Sequence, residues 1–261
     1  MGLAGLKVLV TRPQPQADAC CARIKAAGGM PLCWPLIDIA PPQDAAGLVQ
    51  ALVTLPECSL AIFMSAAAVE HGLYYVQAHL GHWPAAVPIA AIGAATERAL
   101  TAAGLSVSVT PLRGYTSEAL LAEAALQKVR GQTIALFQGE GGRELIAEVL
   151  NQRDARVLAL RVYRRVAAEL KADRLLTLWQ RGGIEAVTVT SSEIFDHLRT
   201  LLVGHPDYWR HTPLVVISPR LAEYVRQAGA QQVLLAEGPE DDALVQVMEK
   251  HLHQRQVDDG S

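Results

Sequence analysis

The stretch AIFMSAAAVEHGL (residues 61–73) occurs a second time, in varied form, as AVTVTSSEIFDHL (186–198). In each version an apolar run ends in a serine, and a helical pattern follows. The repeat continues about 125 residues apart, with PIAAIGAATERALTAAGL (88–105) corresponding to PLVVISPRLAEYVRQAGA (213–230). A period this long exceeds the ~20 to 50 residues of solenoid repeats. It predicts two similar domains, and we expect function in a cleft between them.

The remaining sequence alternates strands and helices. KVLVTR (7–12) is a short strand pattern, QADACCARIKAAGG (16–29) is an amphipathic helix pattern that ends at two glycines, and MPLCWP (30–35) is a second strand. Further strands are predicted in AIFMS, PIAAIG, VSVTP, TIALFQG, ARVLALRVYRRV, AVTVTS, PLVVIS and QQVLLAE. Apolar strands joined by helices indicate parallel sheets covered on both faces. The predicted class is therefore α/β, with two doubly wound domains.

Two stretches interrupt this alternation and are candidate connectors between the domains. PLIDIAPPQD (35–44) contains three prolines, and VYRRVAAELKAD (162–173) runs from a strand into polar sequence. If the chain crosses between domains twice, the N-terminal strand-helix-strand unit belongs with the C-terminal part. The periodicity alone does not decide this, but two connecting strands would let the domains hinge.

Composition excludes several classes of protein. The 261 residues are 51% hydrophobic, which is sufficient for two cores, and the net charge of −3 gives no general attraction to nucleic acid. No apolar run approaches the ~18 to 20 residues of a membrane span, and the N-terminus lacks a signal-peptide layout. The cysteines show no CxxC spacing and are predicted to be buried thiols: Cys20, Cys21, Cys33 and Cys58. With no metal-binding histidine pattern either, we expect a cytoplasmic protein without a metal.

Six short motifs, taken in their order along the chain, resemble bacterial uroporphyrinogen-III synthase. They are VLVTRP (8–13), PLIDIAP (35–41), IGAAT (92–96), YTSEALL (115–121), GEGGRELIAEVL (139–150) and VYRR (162–165). The resemblance implies two flavodoxin-like domains joined by a two-stranded connector. It places residues 1–36 and 168–261 in a discontinuous first domain and residues 37–167 in an inserted second domain.

The resemblance also implies a reaction. Its substrate would be hydroxymethylbilane, a linear tetrapyrrole with eight carboxylate arms, which would close to uroporphyrinogen III with inversion of ring D and loss of water. The pyrroles supply the electrons, so no cofactor is expected and positioning is the main catalytic task. We expect a monomer that binds neither nucleic acid nor membrane. A transient contact with the preceding enzyme of the pathway is left open.

Strand-to-helix turns are candidate sites for the substrate carboxylates. In parallel sheets these turns lie at the carboxyl ends of the strands, where amide groups at helix starts bind anions. The candidate residues in these turns are Ser65, Gly93, Thr96, Gly139, Ser191, Ser192 and Ser218. Each serine or threonine has an alternative role as a helix N-cap. The family often has Thr-Ser where this chain has Met64-Ser65, and some members have a threonine at Leu221.

Tyr163 is the candidate catalytic residue, by its match to the family's functional tyrosine. Period-two alternation predicts that Tyr163 shares one strand face with Arg161 and Arg165, where guanidinium groups would pair with carboxylates. The suggested role is a general acid that protonates the departing hydroxyl. The alternative is an edge tyrosine that only packs against a neighbour. Arg12 and Arg143 are further candidate carboxylate partners.

Two other classes of function stay open. One is a non-catalytic two-domain protein that binds a small anion or a tetrapyrrole, because fold alone does not determine function. The other is a glycosyltransferase-like enzyme, although the chain is short for that class and has no nucleotide-binding signature. Ring closure of hydroxymethylbilane would separate these alternatives.

Overall fold

The structure is a computed structural model that describes residues 2–14, 16–111, 114, 116–142 and 144–252. Its contacts divide the chain into two compact units, unit 1 (Met1–Ile39 with Val166–Ser261) and unit 2 (Ala40–Arg165). The corresponding boundaries predicted from the sequence fall after residues 36 and 167. Arg143, one of the candidate carboxylate partners, lies outside the described residues.

The described chain forms ten strands and twelve α-helices, most of which alternate in sequence. The first half contains β1 (Lys7–Val10), α1 (Gln16–Ala26), β2 (Met30–Cys33), β3 (Ile37–Ala40), α2 (Ala45–Leu52), β4 (Leu60–Phe63), α3 (Ala66–Leu80), β5 (Ile89–Ala91), α4 (Ala94–Ala102), α5 (Ser117–Ala122), α6 (Ala124–Gln127), β6 (Thr133–Gly139) and α7 (Leu145–Gln152). The second half contains β7 (Arg156–Ala167), α8 (Ala172–Gln180), β8 (Ala186–Val189), α9 (Ser192–Leu201), α10 (Pro206–His211), β9 (Leu214–Val216), α11 (Pro219–Gln227), β10 (Val233–Leu235) and α12 (Asp241–Leu252).

The sheet of unit 1 has the strand order β10-β9-β8-β1-β2, and all its neighbouring strands are parallel. Counted along unit 1 alone, this is the flavodoxin-like order 2-1-3-4-5. The second sheet has the order β3-β7-β6-β4-β5, with parallel pairing of β7 to β6, β6 to β4 and β4 to β5. The predicted α/β class with parallel sheets is confirmed.

One predicted strand is wrong. VSVTP (107–111) forms only an isolated bridge between Val109 and Ala90 of β5. The apolar and polar alternation is present, but β5 itself is only three residues long and offers a short pairing edge.

Both faces of the unit 1 sheet are covered by apolar clusters. One cluster packs α8, α9 and α11 against the sheet, with Phe195 and Trp209 as its large aromatic members. The other packs α1 and α12, with Ile24 and Met248 fully buried. Burial on two faces explains why the strands are apolar throughout instead of alternating.

Unit 2 has its own core. Leu120, Leu136 and Ile146 belong to one cluster between its sheet and α5 and α7. Phe63 and Phe137 stack at 4.4 Å between ring centroids. Gly72 of α3 lies against them, since a Cβ there would meet Phe137 Cδ1 at 2.7 Å. The glycine therefore lets α3 approach the sheet closely.

Candidate active site

Three candidate serines occupy equivalent positions, each two residues after the end of its strand: Ser65 after β4, Ser191 after β8 and Ser218 after β9. Each has extended backbone and caps the following helix with its hydroxyl oxygen. The N···O distances are 3.0 Å from Ala68 to Ser65, 3.2 Å from Ile194 to Ser191 and 3.3 Å from Leu221 to Ser218. The capping role is therefore present in all three, at the sheet edge where parallel α/β sheets bind ligands.

A β-bulge in β7 determines where Tyr163 points. Gln138 of β6 pairs with Arg161 but the next residue, Gly139, pairs with Tyr163, so Val162 is an extra residue in β7. The bulge shifts the alternation by one. The Arg161 side chain is 56% exposed, whereas Tyr163 is only 5% exposed. The prediction that Tyr163 shares a face with Arg161 is wrong, because alternation holds only in an unbroken ladder. The predicted shared face of Tyr163 and Arg165, which lie beyond the bulge, stays a prediction.

Three residues of unit 2 surround the Tyr163 ring. Its hydroxyl lies 3.3 Å from Ser65 Oγ, within hydrogen-bonding distance. The His71 ring lies 5.6 Å away between centroids, tilted by 39°. A Cβ on Gly139 would meet Tyr163 Cζ at 2.6 Å, so the phenol occupies the space that any larger residue would take. Two candidates, Ser65 in the turn after β4 and Gly139 at the end of β6, are thus brought together with Tyr163.

The other unit 2 candidates lie in the turns after β5 and β6. Gly93 is the N-cap of α4, and Thr96 is buried in the first turn of that helix, with 3% exposure. The glycine-rich turn after β6 differs from the prediction, because α7 begins only at Leu145 and not directly after the glycines. Glu140 N–H donates to the Tyr163 carbonyl at 2.8 Å, so this amide is already used within the sheet edge.

Arg12 follows β1 and is enclosed by α12. It is 8% exposed, forms an ion pair with Asp241, and places its Nη2 3.3 Å from the Pro239 carbonyl. A buried guanidinium requires such a partner. In this arrangement its charge is compensated by Asp241, a pairing that was not predicted because the two residues are distant along the chain.

A cleft of about 560 Å³ in unit 1 joins the turns after β8 and β9. Ser191, Ser192 and Ser218 line it together with Arg220 at the start of α11. Arg220 was not among the predicted residues, although its place one residue after Pro219 at a helix start would have identified it. Its exposed guanidinium adds a positive charge beside three hydroxyl groups. Glu223 also lines the cleft, and its carboxylate offsets part of the Arg220 charge. The hydroxyl groups and the guanidinium are donors of the kind that bind carboxylates.

Tyr224 also lines this cleft but is held differently from Tyr163. Its hydroxyl donates to both carboxylate oxygens of Asp196, at 2.9 and 3.0 Å. This hydrogen bond, followed by partial desolvation and the charge of Asp196, raises the pKa of the Tyr224 phenol. A proton held by a carboxylate is less available for transfer.

A second cleft, of about 460 Å³, lies in unit 2. Asp44, Glu140 and Arg161 line it, with Glu140 Oε1 accepting from Gln43 N at 2.6 Å. Arg161 lies 3.9 Å from Glu144, a distance at which an exposed pair contributes little. Arg161 is thus available to a carboxylate, although on the other side of β7 from Tyr163.

The cysteines differ from the prediction of four buried thiols. Cys21 of α1 and Cys33 of β2 lie side by side, with their Cα atoms 6.5 Å apart, and Cys33 is exposed. Cys20 and Cys58 are free and buried. Burial and the nearby Asp241 carboxylate raise the pKa of Cys20 to about 12.

Within the described residues, no three His, Cys, Asp or Glu side chains converge as a metal-binding group. In the same part of the chain, no helix has the length and apolar character that crossing a membrane requires.

Comparisons with known proteins agree along nearly the whole chain. Residues 18–246 match the family described as uroporphyrinogen-III synthase HemD. The uroporphyrinogen-III synthase of Salmonella typhimurium is 32% identical over 250 residues, covering 94% of this chain and 100% of the relative. That of Escherichia coli is 30% identical over 250 residues, with the same coverage.

Two solved structures share the fold. A mutant uroporphyrinogen III synthase from Thermus thermophilus matches with a TM-score of 0.64 at 20% identity, covering 96% of this chain and 100% of that one. Uroporphyrinogen-III synthetase from Helicobacter pylori matches with a TM-score of 0.57 at 13% identity, covering 94% and 99%.

Proposed function

Because this chain belongs to the uroporphyrinogen-III synthase family, we propose that it closes hydroxymethylbilane to uroporphyrinogen III with inversion of ring D. Water is lost, so the enzyme is a lyase. The substrate is a small molecule, and the reaction belongs to tetrapyrrole biosynthesis in the cytoplasm.

The protein's own contribution is to fold the bilane and to assist departure of its hydroxyl group. Loss of that hydroxyl gives an azafulvene cation, whose charge the pyrrole nitrogen supports. Closure at the substituted carbon gives a spiro intermediate, which fragments and recloses with ring D inverted. An unassisted bilane closes without inversion, so holding the chain ends in the correct geometry decides the product.

The environment of Tyr163 is the observation that supports this residue as the general acid. Its phenol lies at the carboxyl edge of the unit 2 sheet, 3.3 Å from Ser65 Oγ and largely withdrawn from water. A proton donor fixed in such a place assists departure of a hydroxyl better than bulk water does. Tyr163 is therefore the residue proposed to protonate the leaving group.

The turns of unit 1 are proposed to hold carboxylate arms of the bilane. Ser191, Ser192 and Ser218 offer hydroxyl and amide groups, and Arg220 offers a bidentate donor within the same cleft. Arg12 is a weaker candidate than the sequence suggested, since binding a substrate there would compete with Asp241.

Incubation of the purified protein with hydroxymethylbilane tests the proposal. The products, oxidised to porphyrins, are separated chromatographically into isomers I and III. We expect isomer III to predominate and to form faster than isomer I forms in buffer. A non-catalytic binding protein would bind the bilane yet leave the spontaneous rate and isomer I as the product, and that result would refute the proposal.

A further inference from the structure

Ser65 makes two contacts with a single hydroxyl group. Its Oγ accepts the Ala68 N–H at an N···O distance of 3.0 Å and lies 3.3 Å from the Tyr163 hydroxyl oxygen. The first contact uses a lone pair and leaves the serine's only proton free. The second contact admits either oxygen as the donor, and the two choices have opposite consequences for the phenol.

We propose that Ser65 is a positioning residue that donates its proton to the Tyr163 oxygen and thereby leaves the phenol proton directed at the departing hydroxyl of the substrate. This inference rests on the proposed function. If the phenol donated to Ser65 instead, its proton would be held within the protein. Ser65 thus has a role beyond capping α3, and one that does not require direct contact with the substrate.

The proton transfers balance over one catalytic cycle. The Tyr163 proton passes to the substrate hydroxyl, the C–O bond breaks with its electron pair leaving as water, and the pyrrole nitrogen supplies electrons to the carbon. Tyr163 is left as a phenolate. The proton lost from the pyrrole that closes the ring returns to that oxygen, so no external acid, base or oxidant is consumed.

The Ser65 hydrogen bond becomes stronger as this transfer proceeds. A hydroxyl that donates to a phenolate is a charge-assisted donor, whereas before transfer it donates to a neutral oxygen. An interaction that strengthens toward the transition state raises the catalytic rate constant and not merely substrate affinity. The expected effect of Ser65 is therefore on kcat, with little change in KM.

The surroundings of both groups fix this geometry. The Ala68 N–H sets the position of Ser65 Oγ, because the N-cap hydrogen bond restrains the serine rotamer. The Tyr163 ring lies against the Gly139 backbone and against the His71 ring. Rotation of the Ser65 side chain would break the capping contact, and rotation of the Tyr163 side chain would break the packing contacts.

Tyr224 provides the opposite arrangement within the same chain. Its phenol donates to the Asp196 carboxylate, which cannot donate in return, and this contact raises the pKa of the phenol. Replacement of Ser65 by aspartate would place Tyr163 in an equivalent position. Tyr224 thus shows a phenol whose proton is held by an acceptor within the protein, which is the arrangement that the proposal excludes for Tyr163.

A double-mutant cycle between Ser65 and Tyr163 tests the proposal. Ser65→Ala should lower kcat by about 10- to 100-fold, the value of one hydrogen bond to a charged group, with KM changed less than about threefold. In a Tyr163→Phe background the same Ser65→Ala change should lower kcat less than about threefold, since the oxygen it serves is absent. Equal factors in the two backgrounds would overturn the proposal, because they would mean that Ser65 acts independently of Tyr163.

Two further Ser65 variants separate proton donation from capping. Ser65→Asp keeps a good N-cap, but its carboxylate can only accept hydrogen bonds. Its kcat should therefore be as low as that of Ser65→Ala or lower. Ser65→Thr keeps the hydroxyl and should recover most of the rate lost in Ser65→Ala. Thr116→Ala is the matched control: it removes the N-cap of α5, where Thr116 Oγ1 accepts from Ala119 N at 3.2 Å, and should leave kcat per folded molecule unchanged.

The outcomes distinguish this inference from the proposed function. A wild-type rate in Ser65→Asp, with a slow Tyr163→Phe, would overturn the donor role of Ser65 alone. A wild-type rate in Tyr163→Phe would overturn both the acid and its positioning residue. Failure of the wild-type protein to form isomer III would overturn the proposed function itself. Thermal unfolding of each variant gives the folded fraction to which the rates are normalised.

Discussion

Gly139 and Tyr163 face each other where β6 and β7 end their pairing. The phenol lies over the glycine so closely that a Cβ at that position would meet three of its atoms within 3.0 Å. A candidate chosen for its backbone amide thus has a second role, since its missing side chain provides the space for the proposed acid. The packing of Tyr163 therefore depends on the absence of a side chain at Gly139 as well as on the side chains that surround the ring.

We expect Gly139→Ala to displace the Tyr163 ring. Overpacking of this kind costs about 1–3 kcal/mol of stability, and the displaced phenol should also lower kcat. Gly142→Ala is the matched control, because its Cβ would approach its nearest neighbour, the Gly139 carbonyl oxygen, only to 3.4 Å. Chemical denaturation and turnover measure both effects. Equal stability and turnover in the two variants would contradict the close packing described for Tyr163.

Cys20 should be almost inert toward alkylation in the folded protein. Its pKa is raised to about 12, by burial first and by the Asp241 carboxylate second. At pH 8 roughly one molecule in 10,000 would then carry the thiolate, which is the reactive form. Mass spectrometry after brief iodoacetamide treatment should find Cys20 unmodified, and modified after unfolding in guanidinium. Rapid labelling of Cys20 in the native protein would refute this placement.

Among the elements, α12 is joined to the turn after β1 by the buried Arg12–Asp241 ion pair. A second pair, between Arg23 of α1 and Asp242, lies one residue further along α12 and is exposed. The two pairs have the same chemistry but different solvation. Their comparison therefore isolates the effect of burial.

Asp241→Ala should destabilise the protein much more than Asp242→Ala. Removing one partner of a buried pair leaves an uncompensated charge and costs about 3–5 kcal/mol. Loss of an exposed pair costs about 0–1 kcal/mol. Both substitutions remove an acidic residue from the first turn of α12, so the helix-dipole effect is matched. Urea unfolding monitored by tryptophan fluorescence would detect the difference, and equal midpoints would contradict the structural role assigned to Arg12.

The elements also show why some features could be predicted and others could not. The serine turns were recognisable because an N-cap hydrogen bond joins residues only three apart, as in Ser65 with Ala68. The bulge at Val162 was not, because it exists only in the pairing of β7 with β6. Without the bulge, alternation placed Tyr163 beside Arg161. The ion pair of Arg12 could not be predicted either, because Asp241 is distant along the chain and comes close to Arg12 only in the folded protein.

At the scale of the whole molecule, the duplicated strand-serine-helix pattern predicted two parallel α/β sheets, and these are confirmed. The family was suggested by six motifs and is confirmed by the match over residues 18–246. The individual binding roles stay predictions, because hydroxyl and amide groups at helix starts serve capping and ligand binding with the same atoms.

The proposed reaction should proceed without a metal or redox cofactor. The pyrrole rings supply the electrons, and the chain's own side chains supply the proton. Protein treated with a chelator and desalted should retain full turnover of hydroxymethylbilane. Loss of turnover that is restored by one added metal ion would contradict this prediction.

The most direct test of the account is the rate and product of Tyr163→Phe with hydroxymethylbilane. General acid catalysis contributes about 100- to 10,000-fold, so kcat should fall by at least the lower figure, while the fold survives the loss of one oxygen. Slower catalysis leaves more substrate to close unaided, and the fraction of isomer III should fall with the rate. Thr96→Val, which removes a buried hydroxyl from the first turn of α4, should cost less. If Tyr163→Phe keeps the wild-type rate and isomer ratio, Tyr163 is not the acid.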